Sequence, residues 1–300
     1  MASKIRKKYR QLRSWRWNIA LCDTPVEDLL QGKEMKLRWL KHEHSGGWFA
    51  DPFILSANDR EVEFLVEEFV YADRKGCISR LVADRKSMEL KEIHPVLDIG
   101  CHLSFPAIMR IGEEVYIYPE SCGDSNLVLY RYDRSTDTCE AVTTVSDRPL
   151  TDATVNDIAG RRYLLTTSLP DANGSTLEIR AVDKDCCEGE RLQTVKFSRN
   201  NARNAGAVFE NGGRYYRPAQ ETVGHEYGAA VWLQEIDVDA SGRLTFTDKV
   251  RLTSPHPDLR LGFHTFNKTG DLIVVDAKGY RYPHIAPVIE ALRKVVKRDD

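Results

Sequence analysis

The sequence predicts an all-β fold: a five-bladed β-propeller with a short C-terminal helix and a basic N-terminal arm. Three observations lead there. One hairpin pattern recurs five times, its spacing suits a four-stranded unit, and polar residues recur at the same two ends of the copies. A β-sandwich also has regular strands, but it would not repeat one hairpin with polar residues at matching ends.

Taken in chain order, residues 1–17 form the arm, with Lys4, Arg6, Lys7, Lys8, Arg10, Arg13 and Arg16 among the first sixteen residues. The whole chain carries 43 Lys+Arg against 45 Asp+Glu, so the rest of the chain is acidic. Interleaved Tyr9, Trp15 and Trp17 suit the arm to an anionic membrane surface, and no nucleic-acid partner is expected. The propeller is expected over residues 18–283. Its copies are ADPFILSANDREVEFLVEE from Ala50, SFPAIMRIGEEVYIYPES from Ser104, TDATVNDIAGRRYLLTTS from Thr151, NAGAVFENGGRYYRPAQE from Asn204 and GFHTFNKTGDLIVVDAK from Gly262. Each is an apolar strand, a polar or Gly-containing turn, and a strand rich in aromatic and β-branched residues. The third residues, Pro52, Pro106, Ala153, Gly206 and His264, are spaced by 54, 47, 53 and 58. Runs such as NLVLYRYD, STLEIRAVD and AVWLQEIDVD supply outer strands. Residues 284–300 read as a helix with an apolar stripe of Val288, Leu292, Val295 and Val296, flanked by Arg293, Lys294, Lys297 and Arg298.

Composition excludes several classes. No apolar run reaches the roughly 18–20 residues of a membrane span, and no apolar stretch follows the basic start, so a cytoplasmic protein, peripheral to the inner face of the membrane, is expected. The seven cysteines are scattered without CxxC spacing and read as reduced thiols. There is no Gly-rich phosphate loop, zinc cluster or Rossmann fingerprint, and Asp237 and Asp239 lack calcium-loop spacing. No cofactor and no metal are expected to be required, although a mouth with several carboxylates could take a divalent cation.

Propeller geometry turns the alignment into a site. If the first strand of each hairpin is innermost, its start and the end of its partner meet at one channel mouth. Strand starts place Asp51, Ser104, Asp152, Asn204 and His264 there. Strand ends add Glu67, Glu68, Glu120, Gln220, Glu221 and Asp276. Any one of these has a bland reading as a solvated loop residue; their recurrence in register points to a pocket.

The runs WFADPF (48–53), HLSFP (102–106), YIYPE (116–120), RNAG (203–206), YRPAQE (216–221) and FHT (263–265) resemble the N-terminal domain of plant glucosamine inositolphosphorylceramide transferases and its stand-alone bacterial relatives, over about residues 18–277. More distantly, the layout is similar to five-bladed glycoside hydrolases of the arabinanase and β-xylosidase type. That likeness implies Asp51 as general base, Asp152 as a second Asp that tunes it, and His264 as a channel histidine. It also puts Asn204 where the general-acid Glu would stand. Three readings of the function follow. In glycosyl transfer, serving assembly of a cell-surface polysaccharide or glycolipid, a nucleotide- or lipid-linked sugar leaves as a stable anion. Asp51 is then the base, while Arg203, Arg217, His102 and His225 supply positive charge. In glycoside hydrolysis, Glu120 or Glu221 replaces the missing acid. In the third reading the mouth only binds sugar, using Trp48, Phe105, Tyr216 and Tyr227 as ring platforms with Ser104, Gln220 and Asn204 as polar contacts. The plain alternative for Arg203 is an ion pair with Glu120 or Glu221.

Overall fold

A computed structural model describes residues 14–121, 126–224 and 226–286. The expected C-terminal helix falls almost wholly outside the described residues, as do His225 and most of the basic arm.

The chain opens with β1 (Trp15–Cys22), a five-residue helix α1 (Val26–Leu30) and β2 (Leu37–Trp39). Four blades follow. They are β3 (Gly47–Ala57), β4 (Glu61–Val70), β5 (Lys75–Asp84) and β6 (Leu90–Leu97); β7 (Leu103–Ile111), β8 (Glu114–Ser121), β9 (Leu127–Asp133) and β10 (Thr138–Ser146); β11 (Leu150–Ile158), β12 (Arg161–Ser168), β13 (Thr176–Val182) and β14 (Glu188–Lys196); and β15 (Phe209–Asn211), β16 (Arg214–Val223), β17 (Glu226–Val238) and β18 (Leu244–Leu252). The last hairpin, β19 (Phe266–Thr269) and β20 (Leu272–Tyr280), is completed by the first two strands, in the order β19-β20-β1-β2. The protein is therefore a five-bladed all-β propeller.

The closure moves one expected boundary. β1 pairs with β20 from Trp15↔Tyr280 to Cys22↔Ile273, so this blade includes residues before 18. The physical reason is an edge: β20 would otherwise leave a row of unpaired backbone groups, which the N-terminal strand covers. Trp17 is consequently buried in the fold and not presented to a membrane, whereas Trp15 stays 57% exposed.

The inner strands β3, β7, β11 and β19 neighbour one another around the ring. Apolar side chains fill the wedges between blades. Ile19 and Phe49 pack with Phe64, for example, and Phe53 and Phe105 pack with Tyr118 and Leu164. Phe105 and Tyr216, expected as sugar platforms, belong to this core, at 1% and 6% exposure.

Candidate active site

Three inner strands share one irregularity at the mouth. The register skips between Ala50 and Phe53, between Ser104 and Ala107, and between Thr151 and Thr154. Each skip is a bulge, two residues facing one, and its first residue has positive φ: Asp51 (49°), Phe105 (45°) and Asp152 (41°). A non-glycine residue is strained there, and such strain persists only where neighbours hold it. A carboxylate from the preceding blade does so each time. Asp51 N donates to Asp276 Oδ2 (2.9 Å), Phe105 N to Asp51 Oδ2 (3.0 Å) and Asp152 N to Glu120 Oε2 (3.0 Å). Hydrogen bonds to ionised acceptors are about twice as strong as neutral ones, so these contacts both fix the bulges and stitch adjacent blades.

Asp51 is 7% exposed. Its Oδ1 accepts the Thr265 hydroxyl at 2.8 Å and lies 3.7 Å from His264 Nε2. Burial raises its pKa to about 6; His264 lowers it, while Asp152 and Asp276 raise it further. His264 is buried, and burial alone would lower its pKa, but Asp276 and Asp51 outweigh that and raise it above 6.5. Its ring stacks on Trp17 at 3.8 Å, and its Nδ1 lies 2.8 Å from Asp276 Oδ2. Asp276 Oδ1 also accepts the backbone N–H of His264 and of Thr265, at 3.2 and 3.0 Å. Ligand-type atoms of Asp51, His264 and Asp276 come within 4.8 Å of one another. That spacing could admit a cation, but the Asp51 oxygens already accept the Phe105 N–H and the Thr265 hydroxyl and Asp276 already pairs with His264 Nδ1, so no cation is assigned.

Asp152 faces Arg203 as a fork: Nε donates to Oδ2 at 2.5 Å and Nη2 to Oδ1 at 3.1 Å. Nη2 also reaches Glu120 Oε2 at 3.1 Å. Burial raises Asp152 to about 7, against the lowering effect of Arg203, with Glu120 adding to the rise. The plain alternative for Arg203, a pair with Glu120, is thus present, and Arg203 is not an uncommitted cation. Tyr227 closes this side. Its ring is 5.1 Å from the Arg203 guanidinium carbon and 5.6 Å from the His264 ring.

Two residues expected at the mouth turn inward. Asn204 is fully buried; its Nδ2 donates to Asp152 O and Leu165 O, both at 2.8 Å, and its Oδ1 accepts Arg217 Nε at 2.8 Å. Arg217 is itself fully buried, bonded also to Gln234 Oε1 (2.6 Å) and Ala202 O, and packed near the Phe197 and Phe246 rings. Burial lowers its pKa to about 9. Neither can meet a substrate. Asn204 is a structural amide and not a vacated acid, and Arg217 is part of the wedge between blades.

The other expected residues line or flank the mouth. Ser104 is 8% exposed, and Gln220 is buried with its Oε1 lacking a hydrogen-bond partner among the described residues. Glu221 is tied to Arg251 Nε at 2.7 Å. Trp48 stacks on Phe69 at 4.8 Å. His102 Nδ1 accepts the Gly76 N–H at 2.8 Å, which leaves the ring proton on Nε2, and burial lowers its pKa. It is a neutral imidazole at pH 7 and not the cation expected. Its Nε2 points to Glu67 Oε1 at 3.6 Å. Glu67 is 5% exposed, and that oxygen has no hydrogen-bond partner among the described residues. Burial first, then repulsion from Asp51, Asp276, Glu120 and Asp152, raises its pKa well above the ordinary range. Burial thus makes the Glu67 carboxyl hold its proton more tightly than an ordinary glutamate does. Sequence reasoning placed Glu67 at the mouth but gave it no chemistry, and it missed Thr265 and Trp17 as partners of Asp51 and His264. For Thr265 the run Phe263-His264-Thr265 was the available signal.

Residues 39–248 match the family model described as glucosamine inositolphosphorylceramide transferase 1, N-terminal. Glucosamine inositolphosphorylceramide transferase 1 of Oryza sativa subsp. indica is 25% identical over 202 residues, covering 65% of this chain and 27% of that protein. The protein of the same description from Arabidopsis thaliana is 26% identical over 201 residues, covering 64% and 26%. The chain matches about a quarter of the length of these curated relatives. Among solved structures, a GH43_1 enzyme from Xanthomonas citri aligns with a TM-score of 0.54 at 11% identity, over 78% of this chain and 88% of that one. An α-L-arabinofuranosidase from Lactobacillus brevis aligns with 0.52 at 15% identity, over 74% and 79%. At such identities the likeness is one of fold.

Proposed function

The chain belongs to the family of the glucosamine inositolphosphorylceramide transferase 1 N-terminal domain, and from that premise we propose that its channel mouth transfers a glycosyl group to an acceptor hydroxyl, with Asp51 as general base. The observation that carries this is the setting of Asp51: aimed by a strained bulge, held by Thr265 and the Phe105 N–H, and raised to about 6. A base with a pKa near the working pH is both ionised and basic enough to take a proton in the transition state. The acceptor O–H gives its proton to Asp51 as its oxygen bonds the anomeric carbon, and the leaving group departs with the electron pair of the broken C–O bond. His264, held by Asp276 with its proton affinity raised, stands beside that carboxylate, and Asp152 stands across the mouth in its Arg203 fork. Transfer of this kind serves assembly of a cell-surface polysaccharide or glycolipid.

Hydrolysis is a second reading, favoured by one feature. Glu67, whose proton affinity burial raises and whose Oε1 has no hydrogen-bond partner among the described residues, would then be the acid that Glu120 and Glu221, both tied to arginines, were expected to provide.

The test is Asp51→Asn, assayed with aryl glycosides and with nucleotide- and lipid-linked sugars, with product analysis. Turnover should fall by about 10²–10⁴ in protein that still folds, with some loss of melting temperature because Asn keeps only one of the two acceptors that Phe105 N–H and the Thr265 hydroxyl use. In the wild type, activity should be lost as pH falls through about 6, because the base must be deprotonated. Full turnover in the variant would refute Asp51 as base, and binding without product from any donor would leave a sugar-binding module.

A further inference from the structure

The transfer reading leaves one requirement unmet by the mouth. A diphosphate leaving group needs positive charge, yet Arg203 is spent on carboxylates, Arg217 is sealed in the core and His102 is neutral. The cations lie next door. A cleft of about 510 Å³ between blades 4 and 5 is lined by Trp15, Tyr227, Arg251, Arg260 and Lys278, together with Glu226. Arg251 pairs with Glu221. Arg260 donates Nε to Pro257 O at 2.6 Å, and neither it nor Lys278 has a carboxylate within ion-pair distance among the described residues. Lys278 Nζ instead lies 3.9 Å from the Trp15 ring centre and 5.6 Å from that of Trp17. Its burial lowers its pKa, with Glu226 opposing the fall. A half-buried ammonium held over indoles, with Glu226 acting on it only from beyond ion-pair distance, is under-compensated, and an anion would relieve that.

The cleft is also constructed, and not a chance surface dip. Lys278 faces Trp17 in the β1–β20 ladder and bridges to Gly262. A Cβ on Gly262 would come within 3.0 Å of Trp17 Cη2 and 3.1 Å of Lys278 Cβ, so glycine is what lets these segments converge and fix the lysine stem. The same Trp17 stacks on His264, and Tyr227 lines the cleft while its ring edges His264. Cleft and channel mouth therefore share a wall.

We propose that this cleft binds the diphosphate of a sugar-diphosphate donor, with Lys278 and Arg260 neutralising the phosphates and the exposed Trp15 ring covering the group beyond them. The proposal rests on the transfer reading. The diphosphate leaves the anomeric carbon with the bonding pair and is held by the two cations, while the acceptor proton resides on Asp51. Both a nucleoside diphosphate and a lipid diphosphate carry this chemistry.

The experiment is calorimetric titration of the full chain with UDP, geranyl diphosphate, inorganic pyrophosphate and an uncharged methyl glycoside. The titrations cover wild type, Lys278→Gln, Lys278→Arg, Arg260→Gln and Asp51→Asn. Diphosphates should bind and the methyl glycoside should not compete with them. Affinity should fall at least tenfold in Lys278→Gln and Arg260→Gln, recover in Lys278→Arg and persist in Asp51→Asn. Tighter binding of UDP than of pyrophosphate assigns a nucleoside source; tighter binding of geranyl diphosphate assigns a lipid one. No diphosphate binding, or binding indifferent to both substitutions in folded protein, overturns the proposal. Arg260 is exposed, so that variant tests the point even if Lys278→Gln fails to fold. Loss of turnover in Asp51→Asn without a diphosphate site would sink this inference alone. Lys278-dependent binding with full turnover in Asp51→Asn would sink the base assignment alone.

Discussion

Replacing Glu67 by Gln tests whether the mouth stores a proton. Folded Glu67 is raised well above 4.5, chiefly by burial and then by four neighbouring carboxylates. The unfolded chain releases this proton above its ordinary value while the native state keeps it. Its contribution to stability is therefore fully present at low pH and declines as pH rises. The slope for one proton is about 1.4 kcal/mol per pH unit for as long as the native state alone retains it. Gln is nearly isosteric, can turn its carbonyl oxygen toward His102 Nε2–H, and cannot ionise, so the variant lacks this slope. Asp51 and Asp152 titrate in both proteins, and their repulsion of Glu67 makes the difference a property of the coupled cluster. Urea unfolding of both proteins at half-unit steps from pH 5 to 8 should show Glu67→Gln gaining on the wild type as pH rises above the ordinary glutamate value, and the gain should level off once the native state also loses the proton. Parallel curves, or a variant that gains toward low pH, would show Glu67 to be ionised in the native state. The proton-donor role that favours hydrolysis would then have no basis.

Two further outcomes follow from the hydrogen bonds. Asn204→Ala should cost about 3–5 kcal/mol in urea unfolding, because it strips a buried guanidinium of one acceptor and leaves Asp152 O and Leu165 O without their donor; Asn204→Glu should gain no hydrolysis of aryl glycosides. Arg203→Met removes the cation that holds Asp152 down, so Asp152 should rise beyond about 7 and the native state should keep its proton to higher pH. Stability lost in that variant should accordingly be larger at pH 8 than at pH 5, and equal losses at both would contradict the pairing.

The repeat was legible because it is local. Each hairpin carries its own alternation, turn and aromatic second strand, so five units and a mouth lined by their ends could be read without contacts. Asp51 and Asp152 were legible for the same reason, each one residue before its anchor. Asn204 stands two residues before its anchor, and in a strand neighbouring residues point to opposite faces. That single step, invisible in an alignment of motifs, buries it against Arg217 and removes both from the chemistry.

Composition and periodicity by themselves determined the propeller, its five blades and the face that gathers polar residues. Only the tertiary structure decided which of those residues are available. Asp51 N meets Asp276 across 225 residues of chain, and Thr265 meets Asp51 across 214. Trp17 reaches His264 only because the N-terminal strand closes the last blade. Proton affinity and pairing depend on burial and on neighbours brought from other blades, and those belong to the closed ring and not to any one hairpin.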